Sequence, residues 1–161
     1  INGRIIEPSC DSHLVSLPDP ELVPAIVSYI QARDPKLVFV QLDHIDAAGH
    51  KHGYGSAEYL EQIAQHDLYV GAIVEAIREA GLYEDSLILL TSDHGGHERT
   101  HGTRDPQDMT ILWGCRGPGI ACGRELEGTV NILDTAAVVA QALGLPRPPA
   151  WEAQVPGGVS P

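Results

Sequence analysis

Leu87-Ile88-Leu89-Leu90-Thr91-Ser92-Asp93-His94-Gly95-Gly96-His97 is an apolar run that ends on a carboxylate, two imidazoles and a glycine pair. The short aliphatic stretch predicts a strand covered on both faces, as in a parallel sheet flanked by helices. Neighbouring side chains on a flat strand point to opposite faces, so Asp93 and His94 serve one centre only where the strand bends. Gly95 and Gly96 permit that bend, and Thr100-His101-Gly102 brings a further imidazole.

Upstream, Leu37-Val38-Phe39-Val40-Gln41-Leu42 has the same character and predicts another buried strand, followed by Asp46-Ala47-Ala48-Gly49-His50. There Gly49 would let the backbone turn so that Asp46 and His50 face one ion. Thr110-Ile111-Leu112-Trp113 reads as a third strand. Between and around these runs lie helical patterns. Asp19 with Pro20 resembles a helix start, and Leu22, Ile26, Tyr29 and Ile30 recur at helical spacing until Asp34-Pro35. Ser56 is placed to cap a long helix whose inner stripe is Leu60, Ile63, Val70, Val74 and Ile77. Gly81 closes that helix, and Gly71 within it suggests close packing. Asn131 reads as the cap of a last helix carrying Leu133, Ala136, Val139, Ala140 and Leu143, ended by Gly144 and Pro146.

Alternating helices and strands predict an α/β fold with a mostly parallel sheet and flanking helices, one domain across residues 1–161. Ligands of such sheets bind beyond the carboxyl ends of the strands. Asp46 and Asp93 both fall there, so the two clusters are expected to converge on one cleft.

The chain has 161 residues and a net charge of −12, which argues against a general binder of nucleic-acid polymers. Cys10, Cys115 and Cys122 are scattered, with no C-x-x-C spacing, and read as incidental thiols. No stretch is apolar and long enough for a bilayer, and no signal-peptide pattern opens the sequence, so a soluble chain without a membrane partner is expected. The compartment stays open. The first residue, Ile1, and the weakly patterned opening to Leu17 would suit a piece of a longer protein.

Mixed imidazole and carboxylate donors suit Zn²⁺, with Mn²⁺ or Fe as alternatives, and disfavour the all-oxygen shell of Ca²⁺. An Asp beside a His at a strand end often does no more than cap a helix or satisfy a turn. It is the joint pattern of Asp46, His50, Asp93, His94 and His101, all flanked by glycine, that favours a pair of divalent ions. Asp43 and His44 are placed to orient the ligands. His66 and Asp67 belong to the long helix, with a surface or packing role, His97 supports its loop, and His52 faces solvent.

On these residues the chain resembles the alkaline phosphatase superfamily, in particular its type I phosphodiesterase and nucleotide pyrophosphatase-like branch. The similarity is carried by Asp46-Ala-Ala-Gly-His50-Lys-His-Gly53, Ser92-Asp93-His94-Gly95-Gly96 and Thr100-His101-Gly102. Weaker matches are Asp108-Met109-Thr110, Gly117-Pro118-Gly119-Ile120, Asp134-Thr135-Ala136 and Leu143-Gly144-Leu145-Pro146, and the resemblance covers about residues 36–152. It implies a partial alkaline-phosphatase-like sandwich, the C-terminal part of a catalytic domain. It further implies that Asp46, His50 and His101 hold one metal, and that Asp93 and His94 give part of a second site. The family completes the second site with an aspartate and a Ser or Thr nucleophile that have no counterpart here. No catalytic residue is therefore expected in this chain, which alone should be inactive.

The activity implied for the whole enzyme is metal-dependent hydrolysis of a small-molecule phosphate ester, as a phosphodiesterase or phosphatase. Two ions about 4 Å apart would neutralise both apical oxygens of an in-line displacement. A sulfatase, a phosphonate hydrolase and a phosphoglycerate mutase-like enzyme are alternatives in the same superfamily. A reading of another class is a non-catalytic metal-binding or interaction module that self-associates through an exposed sheet edge.

Overall fold

A computed structural model describes residues 17–159. Cys10 and nearly all of the opening segment lie outside them. The described elements are helices α1 (Asp19–Ala32), α2 (His44–His52) and α3 (Ala57–Glu79), a 3-10 turn (Tyr83–Asp85), strand β1 (Ile88–Thr91), helix α4 (Pro106–Met109), strand β2 (Trp113–Arg116) and helix α5 (Asp134–Ala142). The composition in elements is α/β, as the sequence pattern implies.

Helix α1 starts one residue earlier than a cap at Asp19 would allow. Pro18 takes the capping position, Pro20 lies in the first turn, and Asp19 turns inward at 3 % exposure. Of the expected stripe Ile26 and Ile30 are buried, Leu22 and Tyr29 are half-buried, and Val23 is buried beside them; Ile26 and Ile30 form a core with Ala76 of α3. Leu22, Val27, Val40, Ile73, Ile77 and Ala80 pack around that core.

Helix α3 is capped as expected, the Ser56 hydroxyl accepting from the Tyr59 N–H at 3.2 Å. It ends at Gly81, whose φ of 75° lets the Leu82 N–H reach back to the Ile77 carbonyl. Its buried face differs from the expected stripe. Leu60 and Ile63 are exposed, whereas His66 and Ala76 are buried. The imidazole takes the inward position because a carboxylate waits for it there, and this rotates the apolar stripe outward near the N-terminal end. A Cβ on Gly71 would meet nothing within 4 Å among the described residues, so the close approach expected there is not made by them.

The sheet differs most from expectation. Among the described residues it has two strands, antiparallel, with Ile88 opposite Arg116 and Thr91 opposite Trp113. The segment between them loops out through the four-residue α4 and returns from the same end without a crossover helix, and that chain reversal dictates antiparallel pairing. The run at residues 37–42 forms no strand, because no described segment offers it a ladder, and Leu37 and Phe39 are 59 % and 75 % exposed.

The third strand begins at Trp113, where the notional one ended. Trp113 donates its indole N–H to the Thr135 hydroxyl at 2.9 Å, tying β2 to α5. Helix α5 also shifts from its expected start. Asp134 accepts from the Asn131 and Gln154 N–H groups, each at 2.8 Å, so Asn131 donates where it was expected to cap. Ala137, Val138 and Ala140 are buried, and Leu133 points to solvent. No described helix is long and apolar enough to cross a membrane.

Candidate metal centre

Asp46 and His50 were expected just past a strand, with Gly49 turning the backbone between them. They lie on α2, and their i, i+4 spacing puts both side chains on one face a turn apart. The start of that helix is fixed from outside. Asp19 accepts from the N–H groups of Asp43 at 3.2 Å and His44 at 2.9 Å, so a carboxylate from α1 satisfies the unpaired donors of α2 and sits at the positive end of its dipole. His66 donates to the same carboxylate at 2.8 Å. Burial by itself would raise the Asp19 pKa, but the His44 and Asp43 amides, with His66, hold it below the ordinary value.

His101 arrives on the loop after β1. A bridge between His97 and Thr100, with N–H to carbonyl distances of 3.0 and 2.9 Å, narrows that loop into a small hairpin. Glu98 at its tip has φ 47°, an uncommon conformation for a residue other than glycine. The buried Asp108 carboxylate anchors the hairpin base, accepting from the Thr103 N–H and hydroxyl at 2.8 and 2.7 Å and from His97 at 2.7 Å. The Thr103 hydroxyl, aided by His97, holds the Asp108 carboxyl at about 2. Asp108 in turn raises His97 above its ordinary value.

The glycine pair acts through space more than through bending. Neither Gly95 nor Gly96 has a positive φ. A Cβ on Gly95 would lie 2.0 Å from the Gln107 carbonyl oxygen, and one on Gly96 would lie 2.4 Å from the Tyr54 ring. Gly49 likewise faces that ring at 2.7 Å, so its smallness is explained by contact with Tyr54 and not by a turn.

These constraints bring Asp46, His50 and His101 together, with one ligating atom from each within 4.8 Å of the others. His50 Nε2 lies 3.1 Å from His101 Nε2, and the Asp46 oxygens lie 3.5 and 3.6 Å from the two rings. His50 faces the Arg99 carbonyl through Nδ1 at 2.9 Å. A proton assigned to that bond leaves the Nε2 lone pair aimed into the group. Two imidazole nitrogens and a carboxylate gathered within 4.8 Å are the donor set of a Zn²⁺-like cation, and the residues fit such an ion.

Asp93 and His94 stand beside this group as a pair outside it. The His94 ring stacks on His101 with centroids 3.6 Å apart. Its Nδ1 faces the Gly95 carbonyl at 2.8 Å, while Nε2 lies 3.5 Å from the exposed Asp93 carboxylate. Two supporting residues escaped the sequence reading. Tyr54 donates to Asp46 at 2.5 Å, and burial followed by that carboxylate holds its phenol above the ordinary range. Asp19 read as a helix cap because nothing in its neighbourhood marks a contact with α2 and α3. His44, expected to orient the ligands, has its ring 3.7 Å from Asp19 and shares in this anchor. His52, expected in solvent, is partly buried and faces Glu58 at 3.7 Å. An open cavity of about 700 Å³ next to the group is lined by His52, Tyr54, Ser56, Glu98, Arg99 and Thr100.

The model of the type I phosphodiesterase / nucleotide pyrophosphatase family matches residues 10–105, a span that holds Asp46, His50, Asp93, His94 and His101. The bis(5'-adenosyl)-triphosphatase ENPP4 of Bos taurus is 29 % identical over 97 residues, covering 58 % of this chain and 20 % of that protein. Arylsulfatase K of Bos taurus is 27 % identical, covering 57 % of this chain and 18 % of its own length. The phosphopentomutase of Deinococcus radiodurans is 32 % identical, covering 67 % and 26 %. The chain thus spans about a quarter or less of each of these relatives. No solved structure matches it. With Asp46, His50, Asp93, His94 and His101 inside a match that takes in more than half of its length, the chain belongs to the type I phosphodiesterase / nucleotide pyrophosphatase family.

Proposed function

We propose that this chain is the metal-holding part of a hydrolase that cleaves small phosphate esters, with phosphodiesters as the preferred class. The observation that carries the reading is the closure of Asp46, His50 and His101 to within 4.8 Å from two segments far apart in sequence. These residues would hold one divalent ion, Zn²⁺ by donor type with Mn²⁺ or Fe as alternatives, and Asp93 and His94 would contribute to a second. Such ions supply charge neutralisation at phosphoryl oxygens and activation of an attacking oxygen. The chain's own residues orient them. His50 is turned by the Arg99 carbonyl, Asp46 is held by Tyr54, and α2 is pinned by Asp19.

The nucleophile, a Ser or Thr by family resemblance, belongs in this reading to a part of the intact protein outside this chain, in keeping with the small fraction of its relatives that the chain spans. The chain alone is then inactive, as the C-terminal part of a catalytic domain. The exposed run with Leu37 and Phe39, and the short sheet, are the surfaces through which the chain would associate with another copy or with the rest of the domain. The net charge of −12 makes a nucleic-acid polymer an unfavourable partner.

Similarity to arylsulfatase K supports a second reading, sulfate ester hydrolysis on the same scaffold. Rates for the intact protein on bis-p-nitrophenyl phosphate, p-nitrophenyl phosphate, p-nitrophenyl sulfate and a phenylphosphonate ester, before and after chelation, separate the two. The diester should be cleaved fastest and lose its rate with the metal. Unchanged hydrolysis after chelation, or in the His101→Ala variant, would sink the metal-dependent reading. A dominant sulfatase rate would transfer it to the second class.

A further inference from the structure

We infer that Tyr54 is a positioning residue that fixes the Asp46 carboxylate for ligation, an assignment that rests on the metal reading of Asp46, His50 and His101. Helix α2 ends at Gly53, whose φ of 110° is open to glycine and turns the chain back beneath the helix. Tyr54 follows, and its N–H bonds the Glu98 carbonyl at 2.8 Å, joining it to the hairpin that carries His101. Its ring lies between Gly49 of α2 and Gly96 of the other motif, where any side chain would collide with it. The ring is therefore a wedge between the segment that bears two candidate ligands and the segment that bears the third.

The hydroxyl at the end of the wedge has a separate role. It donates to Asp46 Oδ1 at 2.5 Å, the oxygen that also faces His101, while Oδ2 faces His50. One strong donor on Oδ1 locks the carboxylate rotation and leaves both oxygens aimed at the imidazoles. It also draws charge from the carboxylate and so tunes how strongly Asp46 donates to an ion. Groups that hold a ligand in this way change metal affinity by about 10- to 100-fold when removed.

Two substitutions separate the hydroxyl from the wedge. Tyr54→Phe keeps a ring between the two glycines and removes only the donor. Near-isosteric 3-fluorotyrosine at position 54 keeps both and strengthens the donor, so it reports even if Tyr54→Phe folds poorly. Co²⁺ is titrated into the wild-type chain and both variants, followed by visible absorption, with thermal melting of the metal-free proteins alongside. Tyr54→Phe should lose about tenfold or more in Co²⁺ affinity, and both variants should shift the absorption bands, with metal-free melting little changed. Wild-type affinity and bands in both variants would leave Tyr54 a wedge alone and overturn the assignment. Absence of Co²⁺ binding by the wild type would overturn it together with the metal reading, so the two failures are told apart.

Discussion

Asp19 and His66, 47 positions apart, meet at 2.8 Å with both side chains buried, and through that pair α1 and α3 hold the first turn of the helix that carries Asp46 and His50. His66 faces an acceptor through each ring nitrogen, the Asp19 carboxylate through Nε2 and the Gln62 carbonyl through Nδ1 at 2.7 Å. Asp19 in turn takes the two α2 amides. Buried polar groups carry a large penalty when one member is lost, because the others are left without water or partner.

Asp19→Ala is therefore expected to destabilise the fold by about 3 kcal/mol, the scale for breaking a buried pair from one side. Asp19→Asn, which keeps an acceptor, should cost less. Urea unfolding measures both. A double-mutant cycle with His66→Ala should show strong coupling, and additive losses would mean the pair is incidental. Because the folded Asp19 pKa is lowered, its contribution is present above about pH 4, its unfolded value, and is lost as pH falls through the folded value.

The hairpin base should have its own pH window. Asp108 lies at about 2, so its contribution is complete above the ordinary carboxylate value near 4 and declines toward pH 2. His97 is raised, so its contribution is complete below about pH 6.5, its unfolded value, and is lost as pH rises through the folded value. Protection factors for amide exchange in residues 95–103, corrected for the intrinsic pH dependence of exchange, should be highest between those limits. In Asp108→Asn the alkaline arm should flatten, and an unchanged arm would remove His97 from the account.

The local signals in the sequence were enough for the extent of α1 and for the Ser56 cap and the Gly81 exit of α3, whereas the grouping of Asp46, His50 and His101 joins segments about 50 residues apart and was implied only by the family resemblance. Capping hydroxyls, glycine exits and apolar spacing act within a few residues, so one-dimensional patterns carry them. What depended on partners far away did not read through. A run such as residues 37–42 is apolar in any fold, and whether it becomes a strand is decided by a neighbour that the pattern does not name. The direction of β2 was set by the loop that returns it, and the inward rotation of His66 by a carboxylate on another helix. Similarly, Tyr54 gains its role only when Gly49 and Gly96 approach it from different segments.

Glycines here separate by what surrounds them. Gly95→Ala would place a methyl 2.0 Å from the backbone carbonyl of Gln107, which cannot swing aside, and Gly96→Ala would place one 2.4 Å from the wedged Tyr54 ring. Both should destabilise, Gly95→Ala more, on a scale of about 1–3 kcal/mol or above for overpacking. Gly71→Ala, in open space within α3, should stabilise by about 0.5–1 kcal/mol through helix propensity. Thermal melting of the three variants checks the order, and a Gly95→Ala variant as stable as wild type would overturn the overpacking account.

His101→Ala and His94→Ala should divide the centre. His101 contributes a nitrogen to the group of three, whereas His94 stacks on its ring from outside that group. Elemental analysis after saturation with Zn²⁺ and gel filtration is expected to show one ion fewer in His101→Ala. In His94→Ala the first ion should stay, bound more weakly because the ring that supports His101 is gone. An ion held by the folded chain stabilises it by mass action, about 2.7 kcal/mol at a free concentration 100 times Kd, so wild type should melt higher with Zn²⁺ present and His101→Ala should lose most of that gain. Loss of every ion in His94→Ala with the first retained in His101→Ala would reverse the assignment and put the principal site at Asp93 and His94.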